Sequence, residues 1–308
     1  MMCCGTGGAA KAEDDRSSDP KFKWTRITDD KEAVESLGVP GLLKVGSDVF
    51  AVAEAQCKKG ENSFTGIASK LLTNTVGKEP EEVLKEAKKD TQILEEVGSE
   101  DPKKRVDVSR PTAVVEGSNI YILVGKHSHE AADTCQAETE KIKSGVLLVR
   151  GEVSGEAENK QILWKETGGV PCTLGDQHKT LRRMTGSGGS GVKMEDGTLV
   201  FPVEGTKKGD AGMDGKTVSL ILYFSKEVTN WTLSKEVSAD GCGDPSVVEW
   251  KEKLMMMTAC DGGRRRVYES IDKGDSWTEA LGTLSRVWGN KHKGKSEGRW
   301  KRFHHSED

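Results

Sequence analysis

Three consecutive arginines, Arg264, Arg265 and Arg266, are the side chains here best shaped to hold an anion, since guanidinium offers carboxylate or phosphate a planar fork. Their spacing argues against a shared site. Neighbours on a strand point to opposite faces, so the run reads as a solvated, partly salt-bridged strand. Gly186-Ser187-Gly188-Gly189-Ser190-Gly191 has the glycine density of a phosphate cradle but lacks the Lys-Ser/Thr that follows one. It reads as a flexible connector within a loop from Pro171 to Gly191. The seven cysteines, Cys3, Cys4, Cys57, Cys135, Cys172, Cys242 and Cys260, contain no Cys-x-x-Cys pair, and the histidines, His304-His305 included, miss zinc spacing. Neither a metal nor any other cofactor is expected. The cysteine scatter fits one or two disulfides in a secreted domain, and equally a reduced protein. Met255-Met256-Met257 reads as buried strand, not a metal site. Asn230-Trp231-Thr232 is an N-glycosylation sequon, meaningful in a secreted chain.

Another constellation is structural. Ser270, Asp272, Gly274 and Trp277 follow the β-like run Arg266-Val267-Tyr268-Glu269 in the order Ser-x-Asp-x-Gly-x-x-Trp. Asp272 can fold its carboxylate onto backbone N–H groups of a turn, and Gly274 can take positive φ. Ser270 adds a hydroxyl, and Trp277 can cap the turn. Ser225 and Trp231 read as a degraded copy without the acid and glycine. Both tryptophans read as core aromatics and not as sugar platforms.

The elements that carry these residues repeat. Leu42–Val45 and Val49–Val52 flank the turn Gly46-Ser47-Asp48, and Ala113–Val115 and Ile120–Val124 flank Glu116-Gly117-Ser118-Asn119. Val192–Met194 and Thr198–Phe201 flank Glu195-Asp196-Gly197, and Val247–Trp250 and Leu254–Met257 flank Lys251-Glu252-Lys253. Each is a hairpin by its strands and turn residues. The turns recur at intervals of roughly 55 to 80 residues, which fits one hairpin per propeller blade. Further strands cover 145–149 and 218–224. One short helical insertion is expected over Glu81–Lys89, after Pro80.

The bulk composition agrees. Of 308 residues 34% are hydrophobic and 31% charged, with 36 glycines, a turn-rich balance for an all-β fold. A net charge of −4 makes nucleic acid an unexpected partner. No run approaches the ~18 apolar residues of a membrane span. Residues 1–20 fit two readings, the disordered end of a signal peptide whose apolar region is missing, or a disordered Gly/Ala leader.

The Ser270–Trp277 stretch resembles the Asp box of sialidase-type β-propellers. Residues 240–289 closely resemble the sialidase/trans-sialidase superfamily of parasite surface proteins, through Gly241-Cys242-Gly243-Asp244-Pro245, Val248-Glu249-Trp250, Arg264–Ser270 and Leu281–Gly289. Val39–Leu43, Ala51–Cys57 and Ser109-Arg110-Pro111-Thr112 look like its non-enzymatic surface-glycoprotein branch. The resemblance implies a six-bladed propeller, of which residues 21–290 would supply about four blades. Residues 291–308 are read as a disordered tail, frameshifted after about Gly294. A last Gly298-Arg299-Trp300-Lys301-Arg302 resembles a family arginine motif but follows Gly289 too closely to hold the intervening strands.

The resemblance also implies a chemistry: three arginines clamping the sialic acid carboxylate, a tyrosine nucleophile activated by a glutamate, and an aspartate as acid/base. Carried over by position, Gly38 stands for the first clamp arginine, Gln56 for a further pocket arginine and Arg110 for the acid/base aspartate. Asp244 stands for the activating glutamate and Ala259 for the second clamp arginine. A lost charge pair costs several kcal/mol, and a lost acid/base group ~10²–10⁴ in rate. No catalytic residue is therefore assigned. The resemblance implies a catalytically degenerate surface glycoprotein adhering to host-cell glycoconjugates or extracellular-matrix proteins. The alternatives are an active exo-α-sialidase or trans-sialidase, and a truncated product without function. The family implies a surface or secreted location, although this sequence shows no complete signal peptide or anchor signal.

Overall fold

The computed structural model describes residues 21–280, apart from 73–81, 83–84, 98–103, 128–144, 157–158, 171–173, 175, 211–212, 226–229, 262 and 264. The expectations for residues 1–20 and 291–308, for His304-His305 and for Arg264 lie outside this range.

Four antiparallel meanders follow one another along the chain. The first comprises β2 (Glu32–Val45), β3 (Asp48–Lys59), β4 (Asn62–Leu72) and β5 (Thr91–Val97), with β1 (Lys21–Arg26) paired to β5. The second comprises β6 (Lys104–Glu116), β7 (Asn119–His127), β8 (Val146–Ser154) and β9 (Gln161–Gly169), and joins the first through β5 and β6. In the third, β10 (Leu181–Gly186) pairs with β13 (Leu199–Lys208), followed by β14 (Asp214–Ser225) and β15 (Asn230–Leu233). Between β10 and β13 lie the short β11 (Gly189–Ser190) and β12 (Val192–Lys193). The fourth is β16 (Cys242–Trp250), β17 (Lys253–Cys260), β18 (Arg265–Ser270) and β19 (Thr278–Glu279).

All four predicted hairpins form, closing at Val45↔Asp48, Glu116↔Asn119, Lys193↔Leu199 and Trp250↔Lys253. In the fourth turn Lys251 (φ 50°) and Glu252 (φ 64°) both adopt the left-handed conformation that two-residue hairpin turns demand.

Apolar side chains explain why the meanders stack. On β7, Ile120, Ile122 and Val124 face one core while Tyr121 and Leu123 face the next. On β13, Leu199, Phe201 and Val203 face the second core and Val200 the third. A sheet buried on both faces needs near-continuous apolar strands, which these are. Three of the four buried apolar clusters thus lie between successive meanders, the blade-on-blade packing of a propeller, and the fourth, with Ile27, Ala55, Cys57, Phe64 and Ile93, belongs to the first meander alone.

Two expectations need correction. The stretch 171–191 is not simply a loop, because β10 and β11 lie within it. The spacing of Leu181 and Met184 does not alternate, and a register shift between Leu181 and Arg183 brings both onto one buried face. The glycine run is no flexible connector: β11 pairs in parallel with β6, and Gly191 N–H donates to Ala113 O at 2.8 Å. Of the helix expected over 81–89, residues 81, 83 and 84 lie outside the described residues; among the described ones the helix covers Ala87–Asp90, with a turn at 85–86 before it, and Thr91 is already extended. One unpacked turn has too few hydrogen bonds to propagate.

Ser270–Trp277 closes as a braced turn. Gly274 N–H donates to Ser270 Oγ at 2.6 Å, Ser270 Oγ donates to Asp272 at 2.7 Å, and Ser276 N–H donates to Asp272 at 2.9 Å. Gly274 has φ 93°, and a Cβ there would meet the Tyr223 hydroxyl at 1.8 Å and the Trp277 ring at 3.1 Å. The turn also docks on the third meander, through Lys273 on Asp196 and Trp277 N–H on Glu236 at 2.8 Å. Trp231 packs in β15 with its ring 4.6 Å from Phe224, and residues 226–229 before it lie outside the described residues. Asn230 opens that strand. Met256 is buried, whereas Met255 and Met257 on the opposite face are half-buried. Cys242 and Cys260 are cross-strand partners on β16 and β17 and form a disulfide. Cys57 is free, and burial pushes its thiol up to about 12.

A pH dependence follows from the turn. Bonds from the Ser276 hydroxyl, the Ser276 N–H and Ser270 hold the Asp272 carboxyl far below the usual carboxylate range. The Lys273 ammonium and the Thr198 N–H hold Asp196 down to about 2. A carboxyl depressed by folding stabilises the fold above its unfolded value near ~4, and that stability is lost as pH falls through the folded value. The Tm of the wild type should therefore fall between about pH 4 and pH 2. Asp272→Ala should have a lower Tm at pH 7 and a flatter profile below pH 4 in calorimetry.

Candidate functional site

β2, β6 and β16 kink at the same place. Each carries a residue before proline with positive φ: Val39 (48°), Arg110 (50°) and Asp244 (48°). Register shifts fall beside each, between Gly38 and Gly41, Ser109 and Thr112, and Gly243 and Ser246. Proline removes a ladder donor and a bulge re-aims its neighbour. Left-handed conformation at a β-branched residue such as Val39 is strained, and strain of this kind concentrates at functional sites.

β11 threads between these bulges. It pairs with β6 at Gly189↔Thr112, and a Cβ on Gly41 of β2 would lie 3.6 Å from Gly189 Cα. A Cβ on Gly188 would overlap Val39 Cγ1 at 2.0 Å. The bulged strands therefore converge on one hub.

Arg110 occupies the hub. Its guanidinium donates to Asp244 at 2.5 Å and to Ser187 O at 2.9 Å, and lies 3.8 Å from Glu204. Its backbone N–H donates to Glu54 at 2.7 Å. Glu54 also accepts Gln56 Nε2 at 2.5 Å, and Glu204 accepts the Asp244 N–H at 2.9 Å. A Cβ on Gly243 would lie 2.6 Å from the Glu204 carboxylate, so glycine is what admits Glu204. Two carboxylates thus share the Arg110 guanidinium, and a third, Glu54, takes its backbone N–H.

The five positions singled out from the sequence fall around this hub. Arg110 and Asp244 touch directly. Gly38 pairs with Glu54, and Gln56 bonds to it. Ala259 pairs with Gly243 and is buried. Sequence reasoning missed Glu54, Glu204 and Ser187. Two signals were there to find them: an x-Pro step in three hairpin first strands, and single acids inside the apolar runs 51–55 and 201–205. Arg265 and Arg266 lie outside the hub on β18, where Arg266 pairs with Glu279 at 3.5 Å. Among the described residues no cluster of His, Cys, Asp and Glu is arranged to hold a metal ion, and no helix is long and apolar enough to cross a membrane.

Meanders stacked blade on blade, a braced Ser-x-Asp-x-Gly-x-x-Trp turn and bulged inner strands define a sialidase-type β-propeller. The chain matches the BNR repeat-like domain over residues 39–307 and belongs to that family, within the sialidase superfamily. It is 31% identical over 281 residues to sialidase 85-1.1 of Trypanosoma cruzi, covering 88% of this chain and 36% of that protein. A mutant of Trypanosoma rangeli sialidase displaying trans-sialidase activity superposes with TM-score 0.60 at 28% identity, covering 84% of this chain and 39% of the other. Trypanosoma rangeli sialidase in complex with sialic acid gives TM-score 0.59 at 26% identity, covering 88% and 44%. The chain spans less than half the length of these relatives.

Proposed function

We propose that this chain is a catalytically degenerate member of the superfamily that acts by binding, at a cell surface, to host-cell glycoconjugates or extracellular-matrix proteins. The observation that carries the first half is Arg110. The family resemblance puts an acid/base aspartate at this position, and Arg110 instead neutralises Asp244 and Glu204. An arginine stays protonated and has no acidic proton to give a leaving group at neutral pH. Gly38, Gln56 and Ala259 supply no guanidinium to a sialic acid carboxylate. The hub's three carboxylates repel that anion instead. The Cys242–Cys260 disulfide supports a location outside the reducing cytosol.

A fluorogenic α-sialoside assay, run with a circular dichroism melt on the same sample, tests this reading. A cooperative melt with no turnover above a heat-killed control is the expected result. Turnover that survives removal of contaminating enzyme would sink the degenerate reading and favour a sialidase using other groups. Adhesion itself is read by binding of the folded protein to host cells before and after glycan removal.

A further inference from the structure

A cleft of about 340 Å³ opens between β1, the start of β2, the end of β3, β5 and the start of β6, and none of the hub residues lines it. That volume lies within the range of small-molecule sites. Its floor is rigid. Glu32 is buried, and its carboxylate takes Arg105 Nη2 at 2.5 Å and Lys59 Nζ at 3.5 Å. Arg105 is braced on Phe64, 4.2 Å from the ring centroid, and Lys59 is held again by Asp29 at 2.6 Å. Arg26 donates to the Gln161 side chain. Every cation of the cleft thus already has an acceptor. Glu95 lines the same cleft, half-buried, without a hydrogen-bond or ion-pair partner among the described residues.

We propose that this cleft binds a neutral, polyhydroxylated ligand, a single sugar residue, through Glu95 and the guanidinium groups of Arg105 and Arg26 that line it. A sugar hydroxyl both donates and accepts. Adjacent hydroxyls therefore give protons to the Glu95 carboxylate and lone pairs to guanidinium N–H groups at once. Thr25 and Thr28 add two further hydroxyl partners to the wall. An anionic ligand finds no unspent cation among the lining residues and is repelled by Glu95. An alkylammonium pairs with Glu95 but carries no acceptor for the remaining guanidinium N–H groups, whereas a sugar hydroxyl does. The ion-pair network holds these contacts in place before the ligand arrives, which reduces the ordering cost of binding. The proposal stands whether or not the hub turns over a sialoside.

Saturation-transfer NMR on the full chain tests it, with D-galactose, D-glucose, D-mannose and N-acetylglucosamine as probes, and methylammonium and acetate as controls. Transfer to at least one neutral sugar at millimolar concentration is expected, about tenfold weaker in Glu95→Ala at unchanged Tm. Should Glu95→Ala lower the Tm, Glu95→Gln keeps the shape and loses the charge, and is expected to bind about threefold weaker. No transfer to any sugar, transfer that neither variant alters, or transfer to a control ion alone overturns the assignment.

Discussion

Gly191→Ala is expected to lower the unfolding free energy by about 4 kcal/mol and the Tm by about 6 °C. Gly191 sits between β11 and β12, where the second and third meanders meet. A Cβ there would lie 2.2 Å from Val200 O and 2.7 Å from Val114 Cγ2. The first neighbour is backbone, in a strand whose side chains fill two cores, so it cannot swing aside as a flexible side chain would. Relief requires β11 to move off β6, which breaks the Gly191 N–H bond to Ala113 O and disturbs the Gly188 N–H bond to Thr112 Oγ1. Gly168 is the control. It lies on β9 with open space around its Cβ position, and Gly168→Ala should stay within about 0.5 kcal/mol of wild type. Equal melts for both variants would show that the glycine run is not wedged between blades.

Arg110→Asp is expected to destabilise the fold by about 2 to 3 kcal/mol without creating sialidase activity. The change puts back the acid that the family resemblance places here. It also removes the guanidinium shared by Asp244, Glu204 and Ser187 O, and leaves four carboxylates together. Breaking a fully buried ion pair costs ~3–5 kcal/mol. The side chains of Arg110, Glu204 and Asp244 are 24%, 21% and 57% exposed, so solvent screening reduces that figure. Like-charge repulsion at a partly exposed site is screened by salt, so the loss should shrink between 50 mM and 500 mM NaCl. On the proposed reading no turnover is expected of the variant, because Gly38, Gln56 and Ala259 still offer nothing to a substrate carboxylate. Urea melts at the two salt concentrations and the sialoside assay read both parts. Stability unchanged at low salt would mean that the Arg110 cluster contributes nothing to the fold.

Much of the architecture was legible because it rests on local rules. The four hairpins were readable from apolar strands on either side of short turns, and strand register follows from the turn. The Ser270–Trp277 turn was readable because each residue type has one geometric use there. The stretch 181–186 was not readable as strand, since the bulge after Leu181 breaks the alternation that marks one. The glycine run looked like a connector because parallel pairing with a strand 76 residues earlier leaves no local trace.

The site divides in the same way. The sequence by itself determined which groups stand at the five positions that the family resemblance singles out. Only the tertiary structure decided what those groups do together. Arg110 and Asp244 are 134 residues apart in the chain, and blade stacking brings them to 2.5 Å. Glu54 and Glu204, each a lone acid in an apolar strand, acquire meaning only when bulges on β6 and β16 turn Arg110 and Asp244 toward them. The cleft around Glu95 draws on five strands whose contributing residues share no motif. A charge cluster depends on distance through space, and distance through space is set by how sheets pack.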